Sequence, residues 1–482
     1  MTYLALAAAY ALLALPFGAA IALAFVEDHR QAAHVNVAVA AAVFACAVLL
    51  LFVRPPAGDF VFVDDLNNVF IVLSTFIGAT TAGYSASYIQ HEIDAGKLKS
   101  GYIRFYHAMY QALMFSMNLG LLANNIGLMW VAVELATLTT VLMVGIYRTP
   151  EALEAAWKYF ILGSVGIALA LFGTILVYMS AQPLLGDGYE AMKWTSLMAR
   201  AAEFSPHLLN VAFVFLMLGF GTKVGLVPMH AWLPDAHAEG PTPISAVLSG
   251  LLLNVALYAV LRYKMLLSVN PAAIAPGPMM VTLGLASLLF AGLMLYGRKD
   301  VKRLFAYSSI EHMGIITFAF GMGGPLANFA GLLHMAMHSL TKSAIFFAVG
   351  HITQAKGTQR IEDIRGLTQS HPMLGWSLVV GVAAIAGLPP LGVFTSEFLV
   401  VTSTFARQPL LAIPLALGLL IAFGALLLRL TSLAFGEATE DKGEIEASYA
   451  PIVIHLALVL LAGLWLPPQL AAWFQNVAKL LG

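Results

Sequence analysis

The stretch FLMLGFGTKVGLVPMHAWLPDAHAEGPTP, residues 215–243, decides the fold of this chain. It begins as an apolar helix whose one lysine, Lys223, lies five residues before Pro228. A proline inside a helix removes a backbone hydrogen bond and crowds the preceding turn, so we predict that the helix breaks at Pro228. Broken helices are tolerated inside a membrane only where they line a polar or water-filled cavity. The stretch therefore predicts a membrane protein with a polar pathway beside a buried lysine.

The composition of the whole chain supports a membrane location. Of its 482 residues, 60% are hydrophobic and only 10% are charged, whereas a soluble domain carries about 25% charged residues. This difference excludes a large soluble enzyme. The formal net charge of −1 argues against a nucleic-acid-binding protein. A single cysteine, Cys46, excludes a disulfide framework and a cysteine-ligated zinc ion or iron–sulfur cluster. The sequence also lacks a glycine-rich dinucleotide-binding loop, so we expect no cofactor in this chain.

Apolar segments of about 20 residues cross a bilayer as helices, and we predict fourteen of them. They are too long for strands, and the strands of a membrane β-barrel would alternate apolar and polar residues. The predicted fold class is therefore an all-α polytopic membrane protein. The predicted segments are about 3–26, 35–53, 66–88, 106–124, 126–147, 155–180, 208–231, 243–265, 274–297, 304–322, 326–353, 373–400, 409–433 and 449–473.

The basic residues of the loops predict the orientation, because cytoplasmic loops carry an excess of lysine and arginine. Loops after odd-numbered segments hold thirteen: Arg30, Lys97, Lys99, Arg104, Arg148, Arg298, Lys299, Lys302, Arg303, Lys356, Arg360, Arg365 and Lys442. Loops after even-numbered segments hold six: Arg54, Lys193, Arg200, Arg262, Lys264 and Arg407. We therefore expect the odd-numbered loops in the cytoplasm and both termini on the outer side, which is the periplasm of a bacterium.

A second interrupted segment has the layout of the first. In GWSLVVGVAAIAGLPPLGVFTSEFLV, residues 375–400, Pro389 and Pro390 interrupt an apolar run and Glu397 follows within two turns. Two such segments in corresponding halves are typical of transporters built from inverted repeats. They are the seventh and the twelfth, so we predict two five-helix repeats, segments 4–8 and 9–13. The predicted domains are three N-terminal helices in 1–105, the repeats in 106–265 and 272–433, and a C-terminal helix in 448–482.

Ionisable side chains within apolar segments are candidate functional residues, because a charge at the bilayer centre costs about 3 kcal/mol or more. We interpret Glu134, in the fifth segment, as a carboxylate that accepts a proton or influences a nearby lysine. Lysine can act as a proton carrier when buried, which suits Lys223. The alternatives are a carboxyl group held only for packing and a lysine that extends to the membrane surface. Other ionisable residues are expected at the mouth of the pathway or at the membrane surface: His230, Asp235, His237, Arg262 and Lys264.

A group of histidines lies between the two broken segments. His334, His338 and Lys342 are spaced four residues apart, so they share one face of a helix. Because histidine titrates near neutral pH, this face indicates a proton relay, to which Glu311 and His312 of the tenth segment are expected to contribute. Zinc is the alternative, but in the motif HEXXH a glutamate follows the first histidine. Here Met335 follows His334, so no metal site is predicted.

The same residues resemble a known family. The motifs are LMWVAVELATL around Glu134, GTKVGLVPMHAWLPDAHAEGPTPISAVLSG around Lys223, AYSSIEHMG from Ala306, and the His334–Lys342 face. They are similar to the antiporter-like subunits that respiratory complex I, the group 4 membrane-bound hydrogenases and the Mrp cation/proton antiporters share. The resemblance covers nearly the whole chain. SSIEHMG and LSGLLLNVALYAVLRY most resemble the hydrogenase-4 component F branch, of the formate hydrogenlyase type.

This resemblance implies a fold of fourteen helices with two inverted repeats, and protons that cross through hydrated half-channels joined by a central polar axis. It implies that Glu134 pairs with Lys223 and that Glu397 is the terminal proton acceptor and donor. Many family members have a lysine in the eighth helix where this chain has Asn254. Asparagine cannot carry a proton, so the central step is expected to fall to His312 or His334.

The resemblance also implies a setting, namely a redox-driven complex of the bacterial inner membrane in which this chain moves protons. The expected partners are further antiporter-like and small helical membrane subunits, the lipid bilayer, and a peripheral redox arm on the cytoplasmic side. Nickel–iron and iron–sulfur centres would belong to the partner subunits, and no nucleic acid is expected. Na⁺ is the alternative to the proton as the carried ion. The alternative functions are an ND4-like subunit of complex I (NADH:quinone oxidoreductase), an Mrp-type cation/proton antiporter subunit, and a structural scaffold.

Overall fold

The chain folds into a bundle of α-helices, in a computed structural model that describes residues 2–440 and 445–482. Lys442, used above to predict the orientation, lies outside the described residues. Within those ranges, β-structure is limited to three isolated bridges. The helices are α1 (Thr2–Leu23), α2 (His29–Phe52), α3 (Asp65–Asp94), α4 (Ile103–Leu122), α5 (Ile126–Val144), α6 (Pro150–Leu185), α7 (Trp194–Arg200), α8 (Pro206–Val224), α9 (Trp232–Glu239), α10 (Thr242–Val247), α11 (Leu253–Val269), α12 (Gly277–Leu295), α13 (Val301–Met322), α14 (Pro325–Lys356), α15 (Leu367–Ser370), α16 (Pro372–Ile385), α17 (Gly392–Arg407), α18 (Pro409–Ala434), α19 (Tyr449–Leu464) and α20 (Pro468–Leu480).

Within the described residues, ten helical segments are long and apolar enough to cross a membrane, with Thr242–Val269, which contains α10 and α11, counted as one. Two more, α4 and α13, are 20 and 22 residues long but carry more polar side chains. The chain is therefore a multi-pass α-helical membrane protein, which confirms the predicted fold class. Helices occupy each of the fourteen predicted segments, while the count of fourteen membrane spans and the two inverted repeats stay predictions.

Two segments are interrupted at prolines. Pro228 lies in the non-helical stretch between α8 and α9, and Pro389 and Pro390 lie between α16 and α17. A glycine with positive φ follows the first helix of each pair, namely Gly225 with φ of 81° and Gly387 with φ of 70°. Glycine adopts this left-handed conformation without the steric cost that other residues meet. Each helix therefore ends at a glycine before its proline is reached.

The C-terminal segment is bent as well. The sequence predicts one helix in 448–482, but the structure divides it into α19 and α20, which meet at an angle of 81°. Pro467 and Pro468 lie at the bend. Two adjacent prolines supply no backbone donor to the preceding turn, and proline is favoured at the first position of a new helix. These two prolines are visible in the sequence, and they explain why the structure has two helices where one was predicted.

Helix α14 lies at the centre of the molecule and is buried along nearly all of its 32 residues. The equally buried segment Thr242–Val269, which contains α10 and α11, packs against it. Between α10 and α11 the chain forms one wide π turn at Leu248–Leu252. A Cβ atom at Gly250 would lie 2.8 Å from Ser343 Oγ of α14, so the glycine leaves space for this hydroxyl. Polar side chains on these helices therefore face other helices and not lipid.

Two cations that were expected at the membrane surface are buried inside the protein. Arg262 forms a bidentate ion pair with Asp64, at 2.7 and 2.8 Å, and its Nε donates to the Tyr258 hydroxyl at 2.9 Å. Burial would raise the pKa of the Asp64 carboxyl, but the Arg262 guanidinium and the Asn67 backbone N–H together outweigh burial and hold that pKa below its ordinary value. Lys264 Nζ donates to the Leu481 carbonyl, beyond the end of α20, at 2.8 Å. Both cations have protein partners, so neither extends to the membrane surface.

Candidate functional site

Lys223 lies in the last turn of α8 and is fully buried. Its Nζ donates a hydrogen bond of 2.6 Å to Thr137 Oγ1 on α5 and lies 5.4 Å from the centre of the Tyr159 ring. The position at a helix C-terminus favours a cation, because the last carbonyl groups carry partial negative charge. Trp232 Nε1, at the start of α9, donates to the Thr222 carbonyl at 2.8 Å. The two halves of the broken segment are therefore joined directly beside the lysine.

The space for the lysine head group comes from a glycine. A Cβ atom at Gly163 on α6 would lie 2.6 Å from Lys223 Nζ and 3.3 Å from Thr137 Cγ2. Nearby, a Cβ atom at Gly219 of α8 would lie 2.4 Å from the backbone nitrogen of Ala170 on α6 (a clash). Small residues let membrane helices approach closely. The glycines in these two segments were visible in the sequence, but the lysine pocket that they form was not.

Glu134 lies on α5 one turn before Thr137 and is half-buried. One of its carboxylate oxygens, Oε2, is buried without a hydrogen-bond partner. Within the part of the chain that the structure describes, no ion pair of 4.0 Å or less joins Glu134 to Lys223. The structure thus brings Lys223 to the helix of Glu134 but gives it the Thr137 hydroxyl as its direct partner. The resemblance implies that Glu134 pairs with Lys223. In this structure Glu134 lies one helical turn from Thr137, the partner of the lysine, and does not contact the lysine directly.

The residues after the α8 break do not all lie at the mouth of the pathway. Asp235 is partly exposed and forms ion pairs with Lys158 at 3.1 Å and Arg303 at 2.6 Å. His230 lies in the break with its ring 4.9 Å from Phe290. His237 is fully buried, which corrects the predicted position at the mouth. Its ring is parallel to that of Phe346, with centroids 4.8 Å apart, and neither ring nitrogen has a hydrogen-bond partner. The turn of α9 directs it inward, which the sequence spacing alone did not reveal.

Asn254 is buried between the eighth segment and α14. Its Nδ2 donates to the Gly250 carbonyl at 2.8 Å and to Ser339 Oγ at 2.7 Å. Its Oδ1 has no hydrogen-bond partner. Asn254 therefore links the π turn to Ser339, the residue next to His338. Its amide cannot carry a proton, so it does not replace the lysine that many family members have at this position.

The three residues predicted to share a face of α14 are all fully buried. Lys342 Nζ donates to the Phe305 carbonyl at 2.5 Å and lies 5.4 and 5.6 Å from the ring centres of Phe305 and Phe346. Phe346 is also the ring on which His237 stacks. Neither ring nitrogen of His338 has a hydrogen-bond partner. This face of α14 is thus polar and buried, and only some of its hydrogen-bonding atoms have partners.

A chain of short contacts runs from α13 through α14 to α17. His312 Nδ1 lies 2.9 Å from His334 Nε2, and His334 Nδ1 lies 2.9 Å from Ser396 Oγ. Glu311 Oε2 lies 3.2 Å from His312 Nε2, but the two atoms are not aligned as a hydrogen bond. The His338 ring centre is 5.5 Å from that of His312. Four of these side chains therefore form one continuous buried row.

Glu397 completes this cluster from the α17 side and is half-buried. A Cβ atom at Gly387, in the α16–α17 break, would collide with the Glu397 carboxylate, so the glycine makes room for it. One nitrogen each of His312 and His334 and one Glu397 oxygen lie within 4.8 Å of one another. Two histidines and a carboxylate could hold a metal ion. His312 Nδ1 and His334 Nε2 are already hydrogen-bonded to each other, so these two nitrogens are not free to bind a metal ion.

The comparison with known proteins places this chain in a family. A profile described as "NADH:quinone oxidoreductase/Mrp antiporter, TM" matches residues 123–424, a range that contains both proline breaks and every buried ionisable residue from Glu134 to Glu397. The chain belongs to this family. The match confirms the predicted resemblance to the antiporter-like subunits.

Relatives show how far the likeness extends. The chain is 61% identical over 473 residues to a "Hydrogenase-4 component F homolog" of Methylacidiphilum infernorum, which covers 98% of this chain and 99% of the relative. A solved structure of the membrane-bound sulfane sulfur reductase, an archaeal respiratory membrane complex, contains a chain that is 22% identical with a TM-score of 0.86, covering 98% of this chain and 97% of that one. Respiratory complex I from Thermus thermophilus gives a TM-score of 0.81 at 22% identity, covering 98% and 100%. At these identities the two structures establish a shared fold.

The antiporter-like chain thus has its predicted residues in two groups. The first holds Lys223, Thr137 and, one turn away, Glu134. The second, larger group holds Glu311, His312, His334, His338, Lys342 and Glu397. The sequence analysis missed Thr137, Gly163 and Ser396, whose residue types are common in membrane helices and carry no signal of their own. His237 had a usable signal, because it follows a helix break in an otherwise apolar region.

Proposed function

We propose that this antiporter-like chain translocates protons as a membrane subunit of a redox-driven complex of the hydrogenase-4 type. The observation that carries the proposal is the set of ionisable side chains buried within membrane helices, from Lys223 to Glu397. Burying such groups is costly, so they are expected to face a pathway and serve function. The near full-length identity of 61% to a hydrogenase-4 component F homolog supports the choice of complex.

Each residue has a chemical task in this proposal. Lys223 takes up a proton and holds it against Thr137 Oγ1. The carboxyl group of Glu134, one turn away, changes the field at Lys223 when it gains or loses its own proton, because charges interact strongly at low dielectric. His312, His334, His338 and Lys342 form the central relay, and Glu397 exchanges protons with the far side. His230, in the α8–α9 break, lies where the pathway can reach water.

The complex would supply what this chain does not. Nickel–iron and iron–sulfur centres in partner subunits of a cytoplasmic arm would carry the electrons, and neighbouring antiporter-like and small helical subunits would sit beside this chain in the bacterial inner membrane. The basic loops after odd-numbered segments support a cytoplasmic position for that side and periplasmic termini. Copurification of the tagged chain with a nickel–iron hydrogenase large subunit tests the partner assignment. Copurification with a complete NADH dehydrogenase set would favour the complex I alternative.

The test of proton translocation uses Lys223→Met in the assembled complex, in inverted vesicles that report proton uptake. Methionine keeps a similar volume but cannot carry a proton, so we expect the uptake rate to fall about tenfold or more. Lys223→Arg should fail as well, because arginine does not deprotonate in proteins. Lys99→Met, at an exposed loop lysine, is the control and should pump normally. Uptake that depends on Na⁺ and collapses with a sodium ionophore would identify sodium as the carried ion.

Native gels verify that each variant assembles. Normal proton uptake by an assembled Lys223→Met complex would contradict the proposal and favour the scaffold alternative.

A further inference from the structure

The hydrogen bonds around Ser396 determine where the protons of the neighbouring histidines lie. Ser396 Oγ is 2.7 Å from the Val393 carbonyl, which can only accept, so the hydroxyl donates to it. The hydroxyl has one proton, and its oxygen is then left to accept from His334 Nδ1 at 2.9 Å. A neutral imidazole that carries its proton on Nδ1 has a bare Nε2. His334 Nε2 therefore accepts from His312 Nδ1 at 2.9 Å.

The same logic continues to the end of the row. His312, with its proton on Nδ1, has a bare Nε2 that faces Glu311 Oε2 at 3.2 Å. Two bare acceptors at this distance repel each other, and neither atom has another hydrogen-bond partner. Both side chains are at least 99% buried, so bulk solvent does not reach them. One proton on either Glu311 or His312 removes this repulsion.

We propose that Glu311 and His312 share one proton at rest, and that this pair is the central proton-holding site of the chain. Ser396 is the positioning residue that fixes the direction of the row. This inference rests on the proposed function and assigns its central step. It explains how a chain with Asn254 in the eighth helix can still hold a proton midway, since a carboxyl group on α13 provides the site that the amide cannot.

The surrounding groups favour a neutral resting pair. The ionisable groups around Glu311 and His312 are His334, His338, Lys342 and Glu397. A lone charge in this enclosed region would lack compensation, and low dielectric makes an isolated buried charge costly. The proton is therefore held by the Glu311 carboxyl, with His312 neutral. Protonation of Lys342 changes the field and can release it.

The step moves one proton and leaves the atoms balanced. The proton on Glu311 passes to His312 Nε2, and His312 Nδ1 gives its proton to His334 Nε2. His334 Nδ1 then releases its proton towards the Glu397 carboxylate, one oxygen of which lies within 4.8 Å of one ring nitrogen of His334. Glu311 has lost one proton and Glu397 has gained one. Both imidazoles end as the opposite neutral tautomer and must reorient before the next proton, so the row conducts in single steps.

Infrared spectroscopy of the purified complex tests the resting proton. A neutral carboxylic acid gives a carbonyl band at a higher frequency than the amide bands, and this band shifts in D₂O. A carboxylate gives no such band. We expect such a band at neutral pH that Glu311→Gln removes and Glu397→Gln retains. Absence of any band specific to Glu311 would overturn the assignment of the proton to the carboxyl group.

Proton uptake tests the positioning role of Ser396. Ser396→Ala removes the acceptor of His334 Nδ1, so the tautomers are no longer fixed and we expect uptake to fall about tenfold. Ser396→Thr keeps the hydroxyl and should restore most of the rate. Ser403→Ala, a buried serine on the same helix that bonds only the Val400 carbonyl, is the matched control and should pump normally. Equal rates for the Ala and Thr variants at Ser396 would overturn the positioning role.

These outcomes separate the inference from the proposed function. If Lys223→Met stops uptake while Glu311→Gln leaves it unchanged in an assembled complex, translocation stands and the Glu311–His312 site is refuted. If neither variant changes uptake, the proposed function fails as well.

Discussion

At the scale of single residues, Lys223 can remain inside the membrane because Gly163 leaves space for its ammonium group and Thr137 accepts a hydrogen bond from it. A buried cation without a partner would be costly. The lysine therefore depends on two features: the Thr137 hydroxyl oxygen accepts its hydrogen bond, and Gly163 on α6 has no Cβ that would occupy its space. Both conditions can be changed separately.

Gly163→Ala tests this packing. A Cβ atom 2.6 Å from Lys223 Nζ would displace the ammonium from Thr137, so we expect slower proton uptake and a loss of about 1–3 kcal/mol of stability from overpacking. Gly83→Ala is the control, because no heavy atom lies within 4 Å of a Cβ there. Alanine at that helical site should stabilise by up to about 1 kcal/mol. Unchanged uptake by Gly163→Ala would show that the position of the ammonium is not critical.

The Asp64–Arg262 ion pair gives a prediction about pH. The pKa of Asp64 is below its ordinary value in the folded chain. The stabilisation is therefore complete above the unfolded pKa of about 4 and is lost as the pH falls through the lower folded pKa. Asp64→Asn should reduce stability by about 3 kcal/mol at neutral pH, because it leaves a buried guanidinium without its charge partner.

Thermal unfolding of the purified chain at several pH values measures this effect. The difference in Tm between wild type and Asp64→Asn should shrink once the pH falls below about 4. Asp59→Asn, which affects an exposed pair with Lys193, is the control and should change Tm very little. A difference that is constant with pH would show that the ion pair is not its cause.

At the scale of elements, the α8–α9 break is fixed by contacts between its two halves. Trp232 stacks on Tyr159, with centroids 4.2 Å apart and planes at 11°, while its Nε1 donates to the Thr222 carbonyl. The break is thereby a defined structure beside Lys223. Trp232→Phe keeps an aromatic ring but removes the donor, which separates packing from hydrogen bonding.

We expect Trp232→Phe to lower stability by about 1 kcal/mol, the net value of a typical hydrogen bond, and to reduce proton uptake because the turn that holds Lys223 loosens. The measurements are Tm of the purified protein and uptake into vesicles. Trp157→Phe, at a tryptophan that is 62% exposed on α6, is the control. An equal effect of both substitutions would indicate a general response to tryptophan loss.

At the scale of the whole molecule, loops that the basic bias assigns to the cytoplasm lie together. Lys97 and Gln359, from two different odd-numbered loops, line one cavity of about 380 Å³. Asp59 and Lys193, from two even-numbered loops, form an ion pair of 2.7 Å. The fold therefore agrees with the alternation of loops, and the remaining question is which side faces the cytoplasm.

Labelling with an impermeant thiol reagent in intact cells answers it, in a Cys46→Ala background. Cysteines at Lys97 and at the exposed Arg360 should resist the reagent, and a cysteine at the exposed Asp187 should react. Arg360 is preferable to Lys356 because Lys356 is buried against the Thr439 carbonyl. The reverse pattern would invert the orientation and place both termini in the cytoplasm.

The sequence by itself determined the features that depend on local chemistry. Apolar length predicts helices in membrane segments, and proline removes a backbone donor wherever it stands. The fold class, the positions of the two main breaks, and the candidate residues Glu134, Lys223 and Glu397 followed from these rules. The spacing of His334, His338 and Lys342 predicted one buried face for the same reason, since the helix period is fixed.

Only the tertiary structure decided which of these side chains touch. Thr137 bonds Lys223 from 86 residues away, and Ser396 bonds His334 across 62 residues. Partners so distant in the chain are set by how helices pack, and the apolar surfaces that drive packing are similar in every segment. Helix packing likewise buries the His237 ring and brings Arg262 into an ion pair with Asp64. It also places Glu134 near Lys223 without a direct contact. Local periodicity specifies the helices, whereas non-local packing specifies the contacts that give them a function.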